Sequence, residues 1–297
     1  MNTTFWGPSG WQFLHTLTFI YPESPTFNDK ARIREFMYSL SFILPCKYCR
    51  LSFTKYIKSL PIDNYLDSRK LIVEWLYKIH NKINKKLRIQ GFCKHSNPEL
   101  SNVIKHYESI TENIYKMLNG DEKSNEVKNV INYICNLGSD FLGSVIFNYQ
   151  GYFSNCHTGN EKVKIVSVYN TFFNSIIPII LAYIQKFCKE GKDCVARYKK
   201  DLEKKNEINF NIRSILSQNE PYSKLIKWFY NCNDLCTMKD MYTTQEKYEN
   251  HFKKHIVMSC DNPKTSKKTK TCRKAAFQKS RAKAAFQKSR TKTIQKI

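Results

Sequence analysis

Glycine and proline are scarce in this sequence, with nine of each among 297 residues. That composition excludes collagen-like proteins and flexible Gly/Ser linkers. The glycines nowhere have the G-x-G-x-x-G spacing, so a Rossmann-type dinucleotide-binding turn is excluded as well. Hydrophobic residues make up 41% of the chain and aromatic residues 14%, which is enough apolar material for a buried core. The composition predicts a globular protein with one large domain or two smaller ones.

The sequence also shows no recognisable targeting segment. Met1–Gly10 has neither the basic region nor the apolar run of a signal peptide. The most apolar run, Ile176–Ile184, is interrupted by Pro178 and is far shorter than the roughly 20 residues that span a bilayer. We therefore expect no transmembrane segment and a cytosolic or nuclear location. Cysteines are usually reduced there, so 11 of them call for a catalytic, redox or metal-binding explanation.

Acidic residues are almost absent from the C-terminal segment. Residues 261–297 hold 13 Lys or Arg and one Asp, which accounts for half of the net charge of +24. The segment contains a direct repeat, AAFQKSR, at Ala275–Arg281 and again at Ala284–Arg290. Such a chain cannot bury enough apolar surface to fold alone, so we expect a disordered basic tail over residues 259–297. The tail would contact a polyanion, either nucleic acid or an anionic membrane, or serve only for solubility or targeting.

Apolar residues at helical spacing dominate the remainder and predict an all-α fold. Residues 1–98 are expected to form a first domain, a bundle of four helices plus a short one, and residues 99–258 a second, mostly helical domain. The helices predicted in the first domain are Trp11–Ile20, Asp29–Leu44, Cys46–Ile57 and Ser68–Leu87. Those in the second are Val103–Leu118, Val127–Leu137, Thr171–Phe187, Val195–Lys205 and Tyr222–Tyr230, while Phe141–Tyr152 is ambiguous between helix and strand.

Two cysteines, Cys46 and Cys49, stand at the expected start of the third helix. Thiols at this spacing can close a disulfide with little backbone movement. Pro45 suits a helix start, where its missing N–H is not needed. The helix dipole, Lys47 and Arg50 all favour the reactive thiolate. By itself the C-x-x-C spacing fits a redox pair, half of a zinc site or an accident of sequence.

The surrounding motifs favour the redox interpretation. In chain order, the sequence contains WGPSGWQFLHT at Trp6–Thr16, Tyr21–Pro22, PCKYC at Pro45–Cys49, and W-L-x-x-x-H-N-x-x-N at Trp75–Asn84. In this order and spacing, roughly residues 5–93 resemble the Erv/ALR family of FAD-linked sulfhydryl oxidases. The opening motif is similar to the versions carried by giant DNA viruses of the mimivirus type.

The resemblance implies an FAD-dependent thiol oxidase. A substrate thiolate would attack Cys46, Cys49 would lie beside the flavin, and the electrons would pass to oxygen and yield hydrogen peroxide. The residues expected to bind the cofactor are Trp6, Gly7, Gly10, Trp11, His15, Trp75, His80, Asn81, Asn84 and Lys86. Trp75 would be a core residue in any case. A lone His80 on an apolar helix is most often a core histidine, but beside Asn81 and Asn84 the ligand interpretation is favoured.

Two positions depart from the family pattern. A lysine that follows the H-N-x-x-N segment in the family is replaced by Ile89, with Arg88 one residue earlier. Cys93 matches a family cysteine that forms a structural disulfide with an upstream partner. Residues 50–92 contain no cysteine, so that disulfide is absent or redirected.

The downstream cysteines have two competing explanations. The resemblance implies a second, mobile cysteine pair that shuttles electrons, for which Cys232 and Cys236 have the best spacing, with Cys188 and Cys194 next. Cys135 and Cys156 are expected to be buried or structurally paired. Alternatively, Cys232, Cys236, His251 and His255 form a C-x3-C-x14-H-x3-H pattern close to that of a zinc finger. The rival function is thus a zinc-containing, nucleic-acid-binding protein that uses the basic tail.

The expected partners follow from the resemblance. They are thiol-containing substrate proteins, molecular oxygen and a second copy of the chain in a homodimer. The expected role is disulfide formation in viral proteins, with the enzyme in the viral factory of the host cytoplasm and in the virion.

Overall fold

The computed structural model describes residues 2–92, 95–120, 126–149, 159–189, 193–204 and 244–255. Within these ranges the regular structure is entirely helical, which confirms the all-α prediction. The α-helices are α1 (Thr3–Phe19), α2 (Phe27–Ile43), α3 (Lys47–Ser59), α4 (Arg69–Ile89), α5 (Leu100–Asn119), α6 (Glu126–Leu137), α7 (Ser139–Phe147), α8 (Gly159–Ile184), α9 (Cys194–Lys204) and α10 (Gln245–Lys253). Short 3-10 turns cover Ile62–Tyr65 and Gln185–Phe187.

Helix α1 begins well before the position expected from the sequence. It starts at Thr3 rather than Trp11 and continues through Pro8. The side chain of Asn2 accepts a hydrogen bond from the Thr4 N–H at 3.1 Å and so caps the first turn. Pro8 removes one hydrogen bond of this helix. Packing of the first two turns against α7, described below, compensates for that loss.

Capping residues stabilise the starts of α2 and α4. The Thr26 hydroxyl accepts the Asp29 N–H at 3.2 Å, and the Asp29 carboxylate accepts the Thr26 N–H at 2.9 Å, which makes a capping box at the start of α2. The Ser68 hydroxyl accepts the Leu71 N–H at 3.3 Å and caps α4. The predicted boundaries of these two helices are confirmed to within two residues.

Helices α1 to α4 enclose an apolar core. Its fully buried members include Phe13, Leu17, Ile33, Phe36, Leu40, Ile72, Trp75, Leu76 and Ile79. The hydroxyl of Tyr21 donates to the Leu66 carbonyl at 2.8 Å and ties the end of α1 to the turn before α4. The predicted bundle of four helices is therefore present, and the 3-10 turn at Ile62–Tyr65 supplies an additional short helix.

The later helices pack directly on this bundle. Helix α8 lies along α2, where the Phe172 and Phe36 rings stack with centroids 5.0 Å apart. Helix α7 lies against α1. At the joint between α6 and α7, the ring of Phe13 comes within 2.8 Å of the position that a Cβ on Gly138 would occupy. The apolar core is continuous across the predicted domain boundary at residue 98, which itself stays a prediction.

Helix α8 is longer and more apolar than the sequence pattern indicated. Among the described residues, Val163–Phe187 is the one single helix long and apolar enough to cross a membrane, with a mean hydropathy of 1.7. The bent pair α6 and α7 would pass the same test together. Phe172, Ile179, Ile180 and Tyr183 of α8 are fully buried in the fold, and 39% of its most apolar stretch is buried.

Several predictions fall on residues outside the described ranges. They concern the helix at Tyr222–Tyr230, the basic tail over residues 259–297, and the cysteines Cys93, Cys156, Cys232 and Cys236. The ambiguous segment Phe141–Tyr152 is helical as far as Phe147.

Candidate functional site

The two cysteines of the C-x-x-C motif occupy the start of α3. Cys46 is the N-cap residue, with an extended backbone, and its Sγ accepts the Cys49 N–H at 3.3 Å. Both thiols are free and partly buried. The expected position at a helix N-terminus is confirmed, so the helix dipole acts on both sulfur atoms.

The environment gives the two thiols opposite pKa shifts. The hydrogen bond from the Cys49 thiol lowers the pKa of Cys46 from 9.0 to about 6, and the backbone N–H groups of Cys49 and Tyr48 assist. The same hydrogen bond to Cys46, together with burial, raises the pKa of Cys49 well above its ordinary value. In the dithiol state, the negative charge therefore resides on Cys46, the less buried sulfur.

Two cations lie close enough to Cys49 to lower the pKa of its thiol, against the larger raising effects. One is Lys86 of α4, whose Nζ donates to the Ser52 hydroxyl at 2.6 Å. The other is Arg50, whose guanidinium donates to the Leu44 carbonyl at 2.6 Å. Helix α4 thus presents a positive charge to the second sulfur of the pair.

An aromatic cluster lies between α1, α4 and α5. The Trp11 and His80 rings are stacked with centroids 3.8 Å apart and planes 11° from parallel. His15 stands beside both, with its Nε2 atom 3.2 Å from Nδ1 of His80. The Tyr107 ring of α5 stacks on His15 at 5.0 Å from the other side. Three of the residues expected to bind the cofactor, Trp11, His15 and His80, are thus brought together.

Both histidines of this aromatic cluster are neutral at ordinary pH. Burial, with smaller contributions from the nearby His80 and His106, lowers the pKa of His15 from 6.5 to about 3. Burial lowers the pKa of His80 to about 4. One ring nitrogen of the pair therefore donates and the other accepts. The second nitrogen of His15, Nδ1, is buried and has no hydrogen-bond partner within the described part of the chain.

The opening W-G-P-S-G motif mostly faces away from the aromatic cluster. Trp6 packs near Phe141 of α7, with ring centroids 5.9 Å apart. A Cβ on Gly10 would meet the same Phe141 ring at 3.2 Å, whereas one on Gly7 would meet no atom within 4 Å. The Ser9 hydroxyl donates to the Leu137 carbonyl at 3.1 Å and accepts the Phe141 N–H at 3.3 Å. These contacts show a packing role, and cofactor binding by Trp6, Gly7 and Gly10 stays a prediction.

The remaining expected residues lie on α4. Trp75 is fully buried, and its Nε1 donates to the Leu60 carbonyl at 2.9 Å, so it is a core residue of the bundle. Asn84 follows His80 by four residues and therefore shares its face of the helix, with Asn81 turned away from that face. Both asparagines are partly buried. The ammonium group of Lys86 lies beside Ser52 and close to Cys49, and its role in cofactor binding stays a prediction.

Tyr107 is a site residue that the sequence reasoning missed. It lies nine residues beyond the predicted domain boundary, is buried, and contacts His15 and Phe19 with its ring. Burial raises the pKa of its hydroxyl to about 12. The spacing of Val103, Tyr107, Ile110 and Ile114 on α5 could have identified Tyr107 as part of an inward-facing stripe.

The two histidines of the zinc-finger-like pattern have other partners. His255 stacks on Phe5 at 3.8 Å, with planes 7° from parallel, and His251 lies 3.5 Å from the Asp140 carboxylate. Among the residues that the structure describes, no group of three or more His, Cys, Asp or Glu is placed to hold a metal ion. Cys232 and Cys236 lie outside the described ranges, so the complete four-residue pattern stays a prediction.

Three other cysteines lie within the described part of the chain. Cys135 of α6 and Cys194 of α9 are buried. Cys188 is partly exposed, and its thiol donates to the Ile184 carbonyl at 3.7 Å. The expectation that Cys135 is buried is confirmed. Shuttling by Cys188 and Cys194 is untested.

The part of the chain that carries the thiol pair and the aromatic cluster matches a known family. The model of the Erv1/Alr family matches residues 8–107. Residues 8–107 form an Erv1/Alr domain. The domain contains Cys46, Cys49 and all members of the aromatic cluster, and it ends at Tyr107, the residue that sequence reasoning missed.

Relatives of the Erv1/Alr domain occur in viruses and in eukaryotes. A probable FAD-linked sulfhydryl oxidase of Acanthamoeba polyphaga mimivirus is 38% identical over 85 residues, which are 28% of this chain and 59% of the relative. The mitochondrial FAD-linked sulfhydryl oxidase of Saccharomyces cerevisiae is 38% identical over 86 residues, 29% of this chain and 44% of the relative. An FAD-linked sulfhydryl oxidase of African swine fever virus is 25% identical over 105 residues, 35% of this chain and 87% of the relative. The chain thus spans about three-fifths of the mimivirus relative and under half of the yeast one.

Proposed function

We propose that this chain is an FAD-dependent thiol oxidase that forms disulfide bonds in substrate proteins and passes the electrons to oxygen. The observation that carries the proposal is the role of α4. This helix presents His80 to the aromatic cluster and Lys86 to Cys49. Lys86 follows His80 by six positions, roughly 9 Å along the helix axis. One planar cofactor held at the cluster can therefore reach the thiol pair.

The residues at the aromatic cluster fit a flavin nucleotide. The Trp11–His80 stack, which is partly exposed, offers flat aromatic faces of the kind that bind adenine and isoalloxazine rings. The unpartnered, buried Nδ1 atom of His15 can bond a polar group of a ligand. Neutral histidines can lie against uncharged heterocycles without the cost of burying a charge. Trp11, His15 and His80 would hold the flavin, with Tyr107 behind His15.

The thiol pair would exchange disulfides with a substrate dithiol. A substrate thiolate attacks Sγ of Cys46, the Cys46–Cys49 bond breaks, and Cys49 leaves as a thiolate. The second substrate thiol then attacks the mixed disulfide, releasing Cys46 as a thiolate and the substrate as a disulfide. Two electrons and two protons thereby leave the substrate dithiol. Bound FAD supplies the two-electron acceptor that reoxidises the pair, and oxygen accepts these electrons to give hydrogen peroxide.

The two cations near Cys49 suit its role as the leaving group. The hydrogen bond to Cys46 is the largest cause of the raised pKa of Cys49 in the dithiol state. That hydrogen bond is lost when Cys46 is joined to the substrate. Lys86 and Arg50, which lower the pKa of Cys49, then act without the opposing effect of that hydrogen bond. The departing thiolate is therefore better stabilised in the mixed disulfide than the resting dithiol would suggest.

The visible absorption spectrum of the purified chain, prepared with ample flavin, tests this function. The flavin bands should bleach under anaerobic dithiothreitol and recover when air is admitted. A Cys49→Ser variant should keep the bands but bleach far more slowly, because its thiol relay is broken. A colourless protein would overturn the proposal, and bleaching at the wild-type rate in the Cys49→Ser variant would remove Cys49 from the relay.

The viral setting is part of the same proposal. Two of the relatives described above are viral proteins, which supports a role in disulfide formation for viral proteins in the host cytoplasm and the virion. Immunolabelling of infected cells and of purified particles tests the location, and a signal confined to secretory compartments would contradict it. The homodimer and the polyanion contact of the tail stay predictions.

A further inference from the structure

The outward face of α3 carries an exposed stripe that begins beside the reactive thiols. Tyr48, Leu51, Lys55 and Lys58 follow one another at spacings of three and four residues and therefore share one face of the helix. We call these four residues the α3 stripe. All four are exposed, with 48% of Tyr48 and 60% of Leu51 accessible. The buried side of the same helix is anchored by Phe53 and Ile57.

The α3 stripe is apolar at its N-terminal end and positively charged at its C-terminal end. Its two apolar members lie nearest Cys46, and its two cations lie farther along the helix. Leu51 is roughly 7 Å from Cys46 along the axis, and Lys55 and Lys58 are roughly 13 and 18 Å away. Exposed large apolar side chains beside a reactive group indicate a contact surface rather than a solvated one. A second exposed ring, Phe42 at 44%, lies at the end of α2, four residues before Cys46.

The chain segment that contains the α3 stripe carries charge of one sign. No Asp or Glu occurs between Glu35 and Asp63, whereas Lys47, Arg50, Lys55 and Lys58 fall in that interval. Neither Lys55 nor Lys58 has an ion pair or a hydrogen bond to another described residue through its side chain. Unpaired cations on an exposed helix steer acidic partners and repel basic ones. The basic tail of this chain, which contains Cys272, should therefore bind poorly to the α3 stripe.

We propose that the α3 stripe docks the substrate and selects an acidic, apolar cysteine-containing segment of a partner protein. The inference rests on the thiol oxidase function proposed above and names its substrate class. An extended segment advances roughly 3.3 Å per residue. With its cysteine at Cys46, an apolar residue about two positions away meets Tyr48 and Leu51. Asp or Glu side chains about four to six positions away meet Lys55 and Lys58.

Reduced peptides of matched length test this selection on the full, flavin-loaded chain. Three peptides share one dithiol and one apolar neighbour, and they carry acidic, uncharged or basic residues four to six positions from the cysteine. Oxygen consumption gives kcat/KM for each peptide and for dithiothreitol. We expect kcat/KM to be roughly tenfold higher for the acidic peptide than for the basic one, and this ratio to fall as salt is added.

Charge reversal on α3 provides the matched variants. Lys55→Glu combined with Lys58→Glu should reverse the preference for the acidic peptide, and Leu51→Ser should lower kcat/KM for all three peptides. Lys70→Glu, at an exposed position in the first turn of α4, is the control and should change none of these values. Dithiothreitol is too small to need docking, so its oxidation should be unchanged in every variant.

The outcomes separate the two proposals. Failure of the wild-type chain to oxidise dithiothreitol would overturn the thiol oxidase function itself. Normal oxidation of dithiothreitol with equal kcat/KM for the acidic and basic peptides would overturn the docking role alone. Faster oxidation of a peptide that copies the tail around Cys272 would likewise overturn it and would assign the α3 stripe to this chain's own tail.

Discussion

The Nε2 atom of His15 lies 3.2 Å from the Nδ1 atom of His80, so one imidazole–imidazole hydrogen bond joins α1 to α4. The bond requires that at least one of the facing nitrogens carry no proton, because a hydrogen bond needs an acceptor. Burial satisfies this condition by lowering the pKa of both rings. The His15–His80 pair of the candidate cofactor site therefore also links α1 to α4, and the strength of this link depends on pH.

Acidification should weaken the fold through His15. Its pKa is about 3 in the folded chain and 6.5 ordinarily, so the unfolded chain binds a proton first as the pH falls. The stabilisation by the neutral ring is complete above pH 6.5 and is lost progressively towards pH 3. Between about pH 7 and pH 5, His15 alone should account for a loss on the order of 2 kcal/mol in the free energy of unfolding. Urea unfolding at both pH values measures this loss.

A His15→Gln variant is the control for this pH dependence. It removes the titrating ring and keeps a polar side chain at the buried position. The variant should be less stable than wild type at pH 7, but its loss between pH 7 and pH 5 should be smaller by about 2 kcal/mol. Equal losses in the two proteins would show that other groups cause the acid sensitivity.

The thiol pair should show separate alkylation profiles in the reduced chain. Because the Cys49 hydrogen bond lowers the pKa of Cys46 to about 6, iodoacetamide should modify Cys46 with a rate that rises between about pH 5 and 7. Cys49 should stay nearly unmodified there, because its pKa is raised well above the ordinary value. Mass mapping of peptides after timed alkylation distinguishes the two positions.

Two substitutions at Cys49 identify the cause of the low pKa. Cys49→Ala removes the hydrogen-bond donor, so the alkylation profile of Cys46 should move towards higher pH. Cys49→Ser keeps a hydroxyl donor and should produce a smaller displacement. An unchanged Cys46 profile in the Cys49→Ala variant would mean that the helix N-terminus, rather than its neighbouring thiol, stabilises the thiolate.

Sequence reasoning was most successful where local signals agree. The start of α4 at Ser68 and the thiol pair at the start of α3 each combine a helix start with a suitable side chain, and both are found where expected. The family resemblance grouped Trp11, His15 and His80, and the structure brings their rings together, while cofactor binding by them stays a prediction. These features depend on contacts within one or two helices.

The errors arise from contacts that are distant in the chain. Apolar spacing predicted a start of α1 at Trp11, but Ser9 bonds both sides of the α6–α7 joint, more than 120 residues away, and that packing supports the earlier turns. Tyr107 was missed because a boundary was drawn at residue 98, before the helix that completes the aromatic cluster. No local pattern reports that Phe13 needs a glycine at position 138.

The glycine at the α6–α7 joint should be intolerant of a side chain. A Cβ at Gly138 would lie 2.8 Å from three atoms of Phe13, including its Cβ, which cannot move without shifting α1. The backbone of Gly138 has a negative φ of −100°, so the expected effect is steric rather than conformational. Gly138→Ala should lower the free energy of unfolding by about 1–3 kcal/mol in urea titrations.

Gly7→Ala is the matched control, since it adds the same methyl group to α1 with no atom within 4 Å. That change should be neutral or stabilise the chain by up to about 1 kcal/mol, because alanine favours a helix over glycine. If Gly138→Ala were as harmless as Gly7→Ala, the close packing of α1 on the α6–α7 joint would be wrong.

Tyr107 should strengthen flavin binding through its ring rather than its hydroxyl. The ring packs on His15 at 5.0 Å and on Phe19 at 5.1 Å, so it fixes the side of the cluster that a cofactor would meet. Tyr107→Ala should weaken the affinity of the flavin-free chain for FAD roughly tenfold, whereas Tyr107→Phe should leave it nearly unchanged. Quenching of flavin fluorescence on titration measures both affinities without any need for turnover.

Tyr115→Ala, at an exposed position on the same helix, controls for the loss of helix stability. Equal weakening by the alanine variants at positions 107 and 115 would reduce Tyr107 to a general support for α5, and weakening by Tyr107→Phe would show that the hydroxyl takes part.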